Sequence, residues 1–391
     1  MYRGHTTAVV IPAYNEEGFV ADTIESVPAF VDRIYVVDDG SNDGTWAEIR
    51  TAVDRAAGRG DDDGDRVVAI RHERNRGVGG AIKTGYQRAR ADDIQLTAVM
   101  GGDGQMEPEM LGDLFDPIVD GDADYTKGNR FLARAGHSSM PSHRFVGNAI
   151  LGALTKIASG YWTAGDPQSG YTAISLHALE TADIDSMYEF YGYCNDILVK
   201  LNVAGLRVVD VPRPVTYGDE ESHIRYRTYV PRVSLMLFRN FLWRLRTNYL
   251  VFDFHPLVGA YVAGVVASVA AVGAGIWALP GVGTAATPLA RGAAALGFGL
   301  VALLAFTWAM AMDRDANAHL DDAISPADDR AEATADLPVA RNGESPSDAE
   351  QSSASTADAD GHGPGYVVPE RFPDRPAADE EGATGPNTAS D

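Results

Sequence analysis

The sequence is almost without cysteine and has little lysine. A single cysteine, Cys194, among 391 residues excludes a disulfide framework and a zinc site built from several thiolates. Lysine occurs four times, so that 28 of the 32 basic residues are arginines, against 55 acidic residues. The net charge of −23 argues against a nucleic-acid partner, because neutralising phosphates requires a basic surface. Such an excess of acid is typical of a halophilic protein surface.

The acidic residues are concentrated at the C-terminus. Residues 313–391 contain 19 acidic and five basic residues, a net charge of −14, and are rich in Ala, Asp, Ser, Gly and Pro. This composition buries too little apolar surface to offset the chain entropy lost on folding, and it predicts a disordered tail. A docking segment for a partner is the alternative.

Two long uncharged stretches precede this tail. Leu257–Leu279 has 23 residues and Gly292–Met312 has 21, and the connection between them contains two prolines. A helix of about 20 apolar residues spans the roughly 30 Å hydrocarbon core of a bilayer. We therefore predict a transmembrane hairpin over residues 257–312, with a hairpin buried in a soluble core as the alternative. The N-terminus leads directly into a strand pattern, so we expect no signal peptide.

The segment before the hairpin, residues 223–256, has six arginines and one acid. By the positive-inside rule this end, the preceding domain and the tail are expected in the cytoplasm. Residues 231–251 also form an amphipathic pattern, which predicts a helix in the membrane interface with arginines at the lipid phosphates. The alternative is an ordinary helix packed on the core. The apolar stripe comprises Leu235, Phe238, Phe241, Leu242, Leu245 and Tyr249, while Arg232, Arg239, Arg244 and Asn248 lie off it.

Strand and helix patterns alternate in the first domain, residues 1–222. Such alternation predicts an α/β fold with a mostly parallel sheet, in which ligands gather at the carboxyl ends of the strands. The predicted strands are 7–11, 33–38, 66–71 and 94–100, and the predicted helices are 16–28, 45–57 and 78–91.

Polar residues follow the first two predicted strands. Pro12 is expected to end the first strand and Asn15 to cap the next helix, which leaves Tyr14 and Glu16 near the crevice. The carboxylates of Asp38 and Asp39 lie at the end of the second predicted strand, where they could bind a sugar hydroxyl or a base edge. Turn and capping chemistry alone is the alternative for both stretches.

Two further motifs follow the third and fourth predicted strands. The glycine-rich segment 75–81 opens a helix and could let the backbone approach a diphosphate, although its glycines do not match the dinucleotide-binding fingerprint. In the segment 99–105, Asp103 and Gln105 present oxygen ligands two residues apart. Such a pair suits a divalent cation that substrate phosphates and water complete.

Together these motifs resemble the inverting family-2 glycosyltransferases of GT-A fold, and most closely the polyprenol-phosphate sugar synthases of the dolichol-phosphate mannose synthase type. The matching stretches are VIPAYNEE, VVDDGSNDGT, NRGVGGAIKTG, GGDGQMEP and DPQSGYTA, in the family's order over residues 6–230. The resemblance implies an α/β GT-A domain with a nucleotide-sugar pocket at Pro12, Tyr14, Glu16, Asp38 and Asp39. It also implies Mg²⁺ or Mn²⁺ at Asp103 and Gln105, but Gly101 replaces a second aspartate usual in the family.

The resemblance further implies a catalytic set beside the membrane. Arg130 and Arg144, which match family positions, and Arg225 as a further candidate are expected to hold the phosphate of a polyprenyl or dolichyl phosphate, and Asp103 to act through the metal. For each arginine, a surface ion pair is the alternative. Asp196 is expected to bind the sugar or shape the site, with a general base as the alternative. The implied reaction moves one sugar from a UDP- or GDP-sugar to the lipid phosphate with inversion, for protein glycosylation. The alternatives are another lipid or glycan acceptor, or a sugar-nucleotide-binding module with reduced catalysis.

Overall fold

Strands and helices alternate through the first 212 residues of the computed structural model, which describes residues 1–58, 66–132, 142–213, 226–251, 254–279 and 287–323. The strands of this region are β1 Thr7–Ala13, β2 Arg33–Asp38, β3 Val67–Arg71, β4 Leu96–Val99, β5 Tyr125–Asn129, β6 Thr172–Ser175 and β7 Val208–Pro212. The helices are α1 Val20–Ser26, α2 Thr45–Gly58, α3 Val78–Ala91, α4 Leu111–Val119, α5 Ser142–Ser159, α6 Leu176–Thr181 and α7 Tyr193–Val203.

The strands form one sheet in the order β3-β2-β1-β4-β6-β5-β7-β8, where β8 is Asp321–Ala323. Among the strand pairs of the described residues, only the two made by β6 are antiparallel, so the predicted mostly parallel α/β sheet is confirmed. Alternate residues of β1 point to opposite faces. Val10 packs with Ile82 and Tyr86 of α3 on one face, and Ile11 packs in the core that includes Ile49 and Phe115 on the other. Helices therefore cover both faces.

Two details of the first loop differ from the sequence predictions. Strand β1 does not end at Pro12, which pairs with Val37 of β2. The carbonyl of Pro12 accepts from the N–H of Gly102, so the backbone of Pro12 faces the β4 side of β1. The last residue pair between β1 and β4 is Val10 with Val99, so at Pro12 the missing N–H removes no hydrogen bond of the sheet. Asn15 does not cap α1, which begins at Val20; its side chain instead accepts from the backbone N–H of Asn42.

Helix α8, Tyr226–Arg246, covers the predicted amphipathic segment, and a π-helical turn at 247–251 follows it. Leu235, Phe238 and Leu242 of the predicted stripe are about half exposed. Arg232 and Arg239 are exposed, as the pattern predicts, but Leu245 and Tyr249 need correction because they are buried within the protein. Arg244, expected at lipid phosphates, is fully buried and donates to the carbonyls of Ala158 and Ile157.

Two apolar helices follow, α9 Leu257–Trp277 and α10 Pro288–Asn317. Both are long and apolar enough to cross a membrane, and most of their residues are not buried within the protein. They pack on each other where Gly264 faces the ring of Phe306. A side chain at position 264 would overlap that ring, so the small residue permits the close approach of the helices.

The predicted tail boundary at residue 313 needs correction. Helix α10 continues to Asn317, and β8 then pairs in parallel with β7, with Val208 opposite Asp321. Asp313 and Asn317 are buried polar residues with partners inside the protein, which the tail's acidic composition does not reveal. Residues 324–391 lie outside the described residues, and the disordered tail stays a prediction for them.

Candidate functional site

A cavity of about 490 Å³ lies beyond the carboxyl ends of β1, β2 and β4. Loops that are distant in sequence form its walls, as expected for a ligand site in a parallel sheet. Its lining residues include five of the predicted site residues, namely Pro12, Tyr14, Glu16, Asp39 and Asp103. The other lining residues are Ala13, Asn75, Gly77, Val78, Ala81, Gly101, Gly102, Phe190 and Tyr191.

The carboxylate of Asp39 holds one wall of the cavity in place. Its two oxygens accept the backbone N–H groups of Arg76 and Gly77 at 2.9 and 2.7 Å. The ring Nδ1 of His72 lies 2.6 Å from the same carboxylate. Asp39 is almost fully buried, and these contacts join the end of β2 to the loop before α3.

Asp38, the other acid of this pair, does not line the cavity. It is fully buried and accepts from the backbone N–H of Ser41 at 3.0 Å. Its other oxygen lies 2.9 Å from Nε of Arg71. The structure therefore places Asp38 at the end of β2, where its carboxylate holds the following turn and Arg71, and its predicted role in nucleotide binding stays a prediction.

The glycine-rich start of α3 contacts another protein segment. Gly77 has a φ of +92°, and a Cβ there would lie 2.5 Å from the carbonyl oxygen of Glu189. A Cβ at Gly79 would overlap the carbonyl oxygen of Tyr188. The N–H of Gly80 donates to the Glu189 carbonyl at 2.9 Å. Segment 188–190 therefore packs on the Cα side of these glycines, while Gly77 also lines the cavity, and the approach of a diphosphate to this backbone stays a prediction.

Residues 188–192, hereafter the aromatic wall, were not identified from the sequence. Phe190 and Tyr191 line the cavity although they lie 85 residues or more beyond the segment 99–105, the last predicted motif that contributes to it. Glu189 pairs with Arg76 and Lys83 at 2.7 and 2.5 Å, which fixes the wall on α3. Hydrogen bonds from Arg76 and Lys83 lower the pKa of Glu189 to about 2. The sequence signals available were two adjacent aromatic residues beside a glutamate, close to the predicted site residue Asp196.

The predicted metal ligands are only partly brought together at the cavity. Asp103 lines it, and its Oδ1 accepts the backbone N–H of Gln105 at 3.2 Å. Gln105 is not among the lining residues, and its backbone carbonyl accepts from Nη2 of Arg213 at 2.9 Å. Within the described ranges, no group of three or more His, Cys, Asp or Glu residues is arranged to hold a metal. A cation would therefore take much of its coordination from elsewhere.

Of the three predicted acceptor arginines, the structure describes only the side chain of Arg130, which is not among the residues that line the cavity. Arg130 follows β5 and binds both oxygens of Asp166 through Nε and Nη2, at 2.6 and 2.7 Å. Arg144 lies in helix α5, but the structure does not describe its side chain. Arg225 lies outside the described residues. Their role as ligands of a lipid phosphate stays a prediction.

Asp196 is buried in the first turn of α7, behind the aromatic wall rather than in the cavity. Its Oδ2 accepts the backbone N–H of Tyr188 at 2.8 Å, and its Oδ1 accepts from Asn240 of α8 at 2.6 Å. Burial raises the pKa of this carboxyl. With both oxygens engaged, Asp196 has the contacts of a residue that shapes the site.

The sequence of this chain is similar to those of known glycosyltransferases. Residues 8–182 match the profile described as Glycosyl transferase family 2. The UDP-N-acetylglucosamine–dolichyl-phosphate N-acetylglucosaminyltransferase of Methanococcus voltae is 29% identical over 216 residues, covering 54% of this chain and 86% of that protein. The polyprenol monophosphomannose synthase of Mycolicibacterium smegmatis is 30% identical over 229 residues, covering 55% and 78% respectively. The low-salt glycan biosynthesis hexosyltransferase Agl6 of Haloferax volcanii is 31% identical over 233 residues, covering 57% and 50%.

Proposed function

The chain belongs to glycosyl transferase family 2, and from this premise we propose that it moves one sugar from a UDP- or GDP-sugar to a polyprenyl or dolichyl phosphate. The observation that carries the proposal is the cavity, which collects Pro12, Tyr14, Glu16, Asp39 and Asp103 from three separate loops. Relatives named for dolichyl-phosphate and polyprenol-phosphate transfer support the acceptor class. The proposed product is a lipid-linked sugar for protein glycosylation.

We propose that the donor diphosphate lies beside Asp103. One carboxylate on the cavity wall, next to the small residues Gly101 and Gly102, leaves space for phosphate and water oxygens around a shared cation. This arrangement fits Mg²⁺ or Mn²⁺, which accept oxygen ligands from one or two carboxylates and substrate phosphates. When bound, the cation supplies positive charge that stabilises the departing nucleoside diphosphate.

The proposed reaction needs no strong base from the protein. A lipid phosphate oxygen is already ionised near neutral pH, and it attacks the anomeric carbon opposite the leaving diphosphate, which inverts that centre. Orientation of the two substrates supplies much of the acceleration in such a reaction. The buried and fully engaged carboxylate of Asp196 agrees with a mechanism that does not use it as a base.

We propose that α9 and α10 form a transmembrane hairpin and that the cavity lies on the cytoplasmic side. The low burial and apolar composition of both helices support the span. The exposed Leu235, Phe238 and Leu242 of α8 provide an apolar surface that suits the membrane interface. The local excess of arginine before the hairpin supports the orientation.

A second function is favoured by one observation. Gly101 provides no carboxylate beside Asp103, which favours a sugar-nucleotide-binding module with reduced catalysis. Such a module would bind UDP or GDP but would transfer no sugar. The same experiment separates this alternative from the transferase.

The test uses the full chain in vesicles that contain dolichyl phosphate, a panel of labelled UDP- and GDP-sugars, and Mg²⁺ or Mn²⁺. Formation of a lipid-linked monosaccharide of inverted anomeric configuration supports the proposal, and Asp103→Asn should abolish it. Vesicles with unphosphorylated dolichol are the matched control and should yield no product. Product on dolichol, or nucleotide binding without transfer to any acceptor, contradicts the proposal and supports one of the alternatives.

A further inference from the structure

Asp196 connects the aromatic wall to a helix outside the cavity. Asp196 is 4% exposed, and both of its oxygens accept short hydrogen bonds from opposite sides. One donor is the backbone N–H of Tyr188, and the other is the side-chain amide of Asn240. A hydrogen bond to a buried charged group is stronger than one between neutral groups, so this carboxylate is a firm link.

Tyr188 begins the segment that closes the cavity. Its ring meets that of Phe190 edge to face, with 6.0 Å between ring centres. Phe190 and Tyr191 themselves remain 51% and 58% exposed, so their position over the cavity depends largely on the backbone of their own segment. The position of the Tyr188 backbone therefore affects where these two rings stand.

Asn240 lies on the side of α8 that contacts the protein. Helix α8 reaches the other end of the aromatic wall too, because a Cβ at Gly192 would lie 3.0 Å from Cε of Met236 and 3.2 Å from Cγ2 of Val233. Leu235 and Phe238, by contrast, are exposed on the same helix. One helix thus carries an exposed apolar face, lies close to one end of the aromatic wall at Gly192, and is linked to the other end at Tyr188 through Asp196.

We infer that Asn240 is a positioning residue, which through Asp196 holds the aromatic wall against the donor cavity. The location of α8 thereby sets the shape of the pocket that receives the sugar nucleotide. This inference rests on the proposed function, because its effect is read as donor binding. Asn240 itself lines no part of the cavity and touches no reacting atom.

The first test is Asn240→Leu in the full chain reconstituted in vesicles. Loss of a hydrogen bond to a buried carboxylate should raise the donor KM about tenfold and leave the acceptor KM unchanged. Asn248→Leu is the matched control, because Asn248 lies just beyond the same helix and donates to Asn202 instead of Asp196. It should leave the donor KM unchanged. Equal effects of both variants would overturn the inference.

The second test uses variants that preserve the shape of the pair. Asp196→Asn should keep activity within about threefold, because an amide oxygen still accepts from Tyr188 and the Asn240 amide can turn over to accept from the new amide. Asn240→Asp sets two carboxylates face to face and should weaken donor binding. Adding Asp196→Asn to Asn240→Asp should restore it. A hundredfold loss of kcat in Asp196→Asn at unchanged donor KM would show that Asp196 acts on the reacting atoms and overturn the inference.

Two measurements separate this inference from the proposed function. Hydrogen exchange at the Tyr188 amide should be faster in Asn240→Leu than in the wild type, and UDP or GDP should bind more weakly by calorimetry with Mg²⁺ present. Neither depends on sugar transfer. If the wild type transfers no sugar, the proposed function fails while these measurements still decide the inference. Unchanged exchange and unchanged nucleotide affinity would overturn the role of Asn240.

Discussion

Arg244 and Asp313 are 69 residues apart in the sequence and form a fully buried, bidentate ion pair. Nη1 and Nη2 of Arg244 each lie 2.9 Å from an oxygen of the Asp313 carboxylate. Tyr249 and Trp162 also donate to this carboxylate. Because Arg244 belongs to α8 and Asp313 to α10, the pair fastens the apolar hairpin to the rest of the protein.

Arg244→Met should destabilise the protein by roughly 3–5 kcal/mol, because it leaves the Asp313 carboxylate buried without its counter-charge. Chemical unfolding in detergent measures the loss. Arg239→Met is the control, since Arg239 is exposed on the same helix and should change stability little. The double variant Arg244→Met with Asp313→Leu should be more stable than Arg244→Met alone. A double variant that is less stable than Arg244→Met would contradict this account.

Gly101→Asp should lower the Mg²⁺ or Mn²⁺ concentration that gives half-maximal activity, by about tenfold, because a second carboxylate increases the charge available to the cation. A Cβ at position 101 would lie 3.0 Å from Oδ1 of Asp103, so the new group arrives beside the predicted ligand. A metal titration of transfer measures the change. Gly101→Asn has a similar shape without the charge and should show a much smaller effect; an equal effect would refute the explanation.

Glu189 should make stability depend on pH in acid. Pairing with Arg76 and Lys83 lowers the pKa of Glu189 from 4.5 to about 2. The stability from this pairing is therefore complete above about pH 4.5 and is lost as the pH falls towards about 2. Glu189→Gln should lower the Tm above pH 5 and approach the wild type near pH 2. Glu25→Gln, which removes an exposed pair with Arg55, is the control and should move the Tm little. A constant difference between Glu189→Gln and the wild type from pH 2 to 7 would count against this assignment.

Gly79→Ala should disturb the aromatic wall. The added methyl group would overlap the carbonyl oxygen of Tyr188, a backbone atom that can move only with its segment. We expect a loss of about 1–3 kcal/mol in stability together with weaker UDP or GDP binding. Gly58→Ala, where a Cβ meets nothing within 4 Å, is the control. Nucleotide affinity unchanged in Gly79→Ala would show that the two segments are not coupled.

Local patterns in the sequence predicted much of the fold. Strands β1 and β2 and helix α3 follow from apolar runs of the right length, and the motif after each strand led to Tyr14, Asp39 and Asp103 of the cavity. These features depend on neighbouring residues and on the rule that parallel strands share a ligand-binding edge.

The features that the sequence did not predict are long-range pairings. Nothing near Gly79 in the sequence indicates that Tyr188 packs on it, and the helical pattern around Arg244 does not reveal Asp313. The amphipathic periodicity predicted that Arg244 lies on the polar face of the helix, but it could not predict that this side chain pairs with Asp313. For the same reason Asn240 could not be related to the cavity before Asp196 and Tyr188 were seen between them.

Strand β8 comes after the two apolar helices in the chain, yet it extends the same sheet that carries the cavity. The hairpin is therefore an insertion in the fold rather than an appendage to it. A chain shortened to end before residue 257 would lose β8, Asp313 and Asn317 along with the hairpin. It would expose β7 as a new sheet edge, which is a site for unwanted strand pairing. Simple truncation before the hairpin therefore also removes part of the sheet.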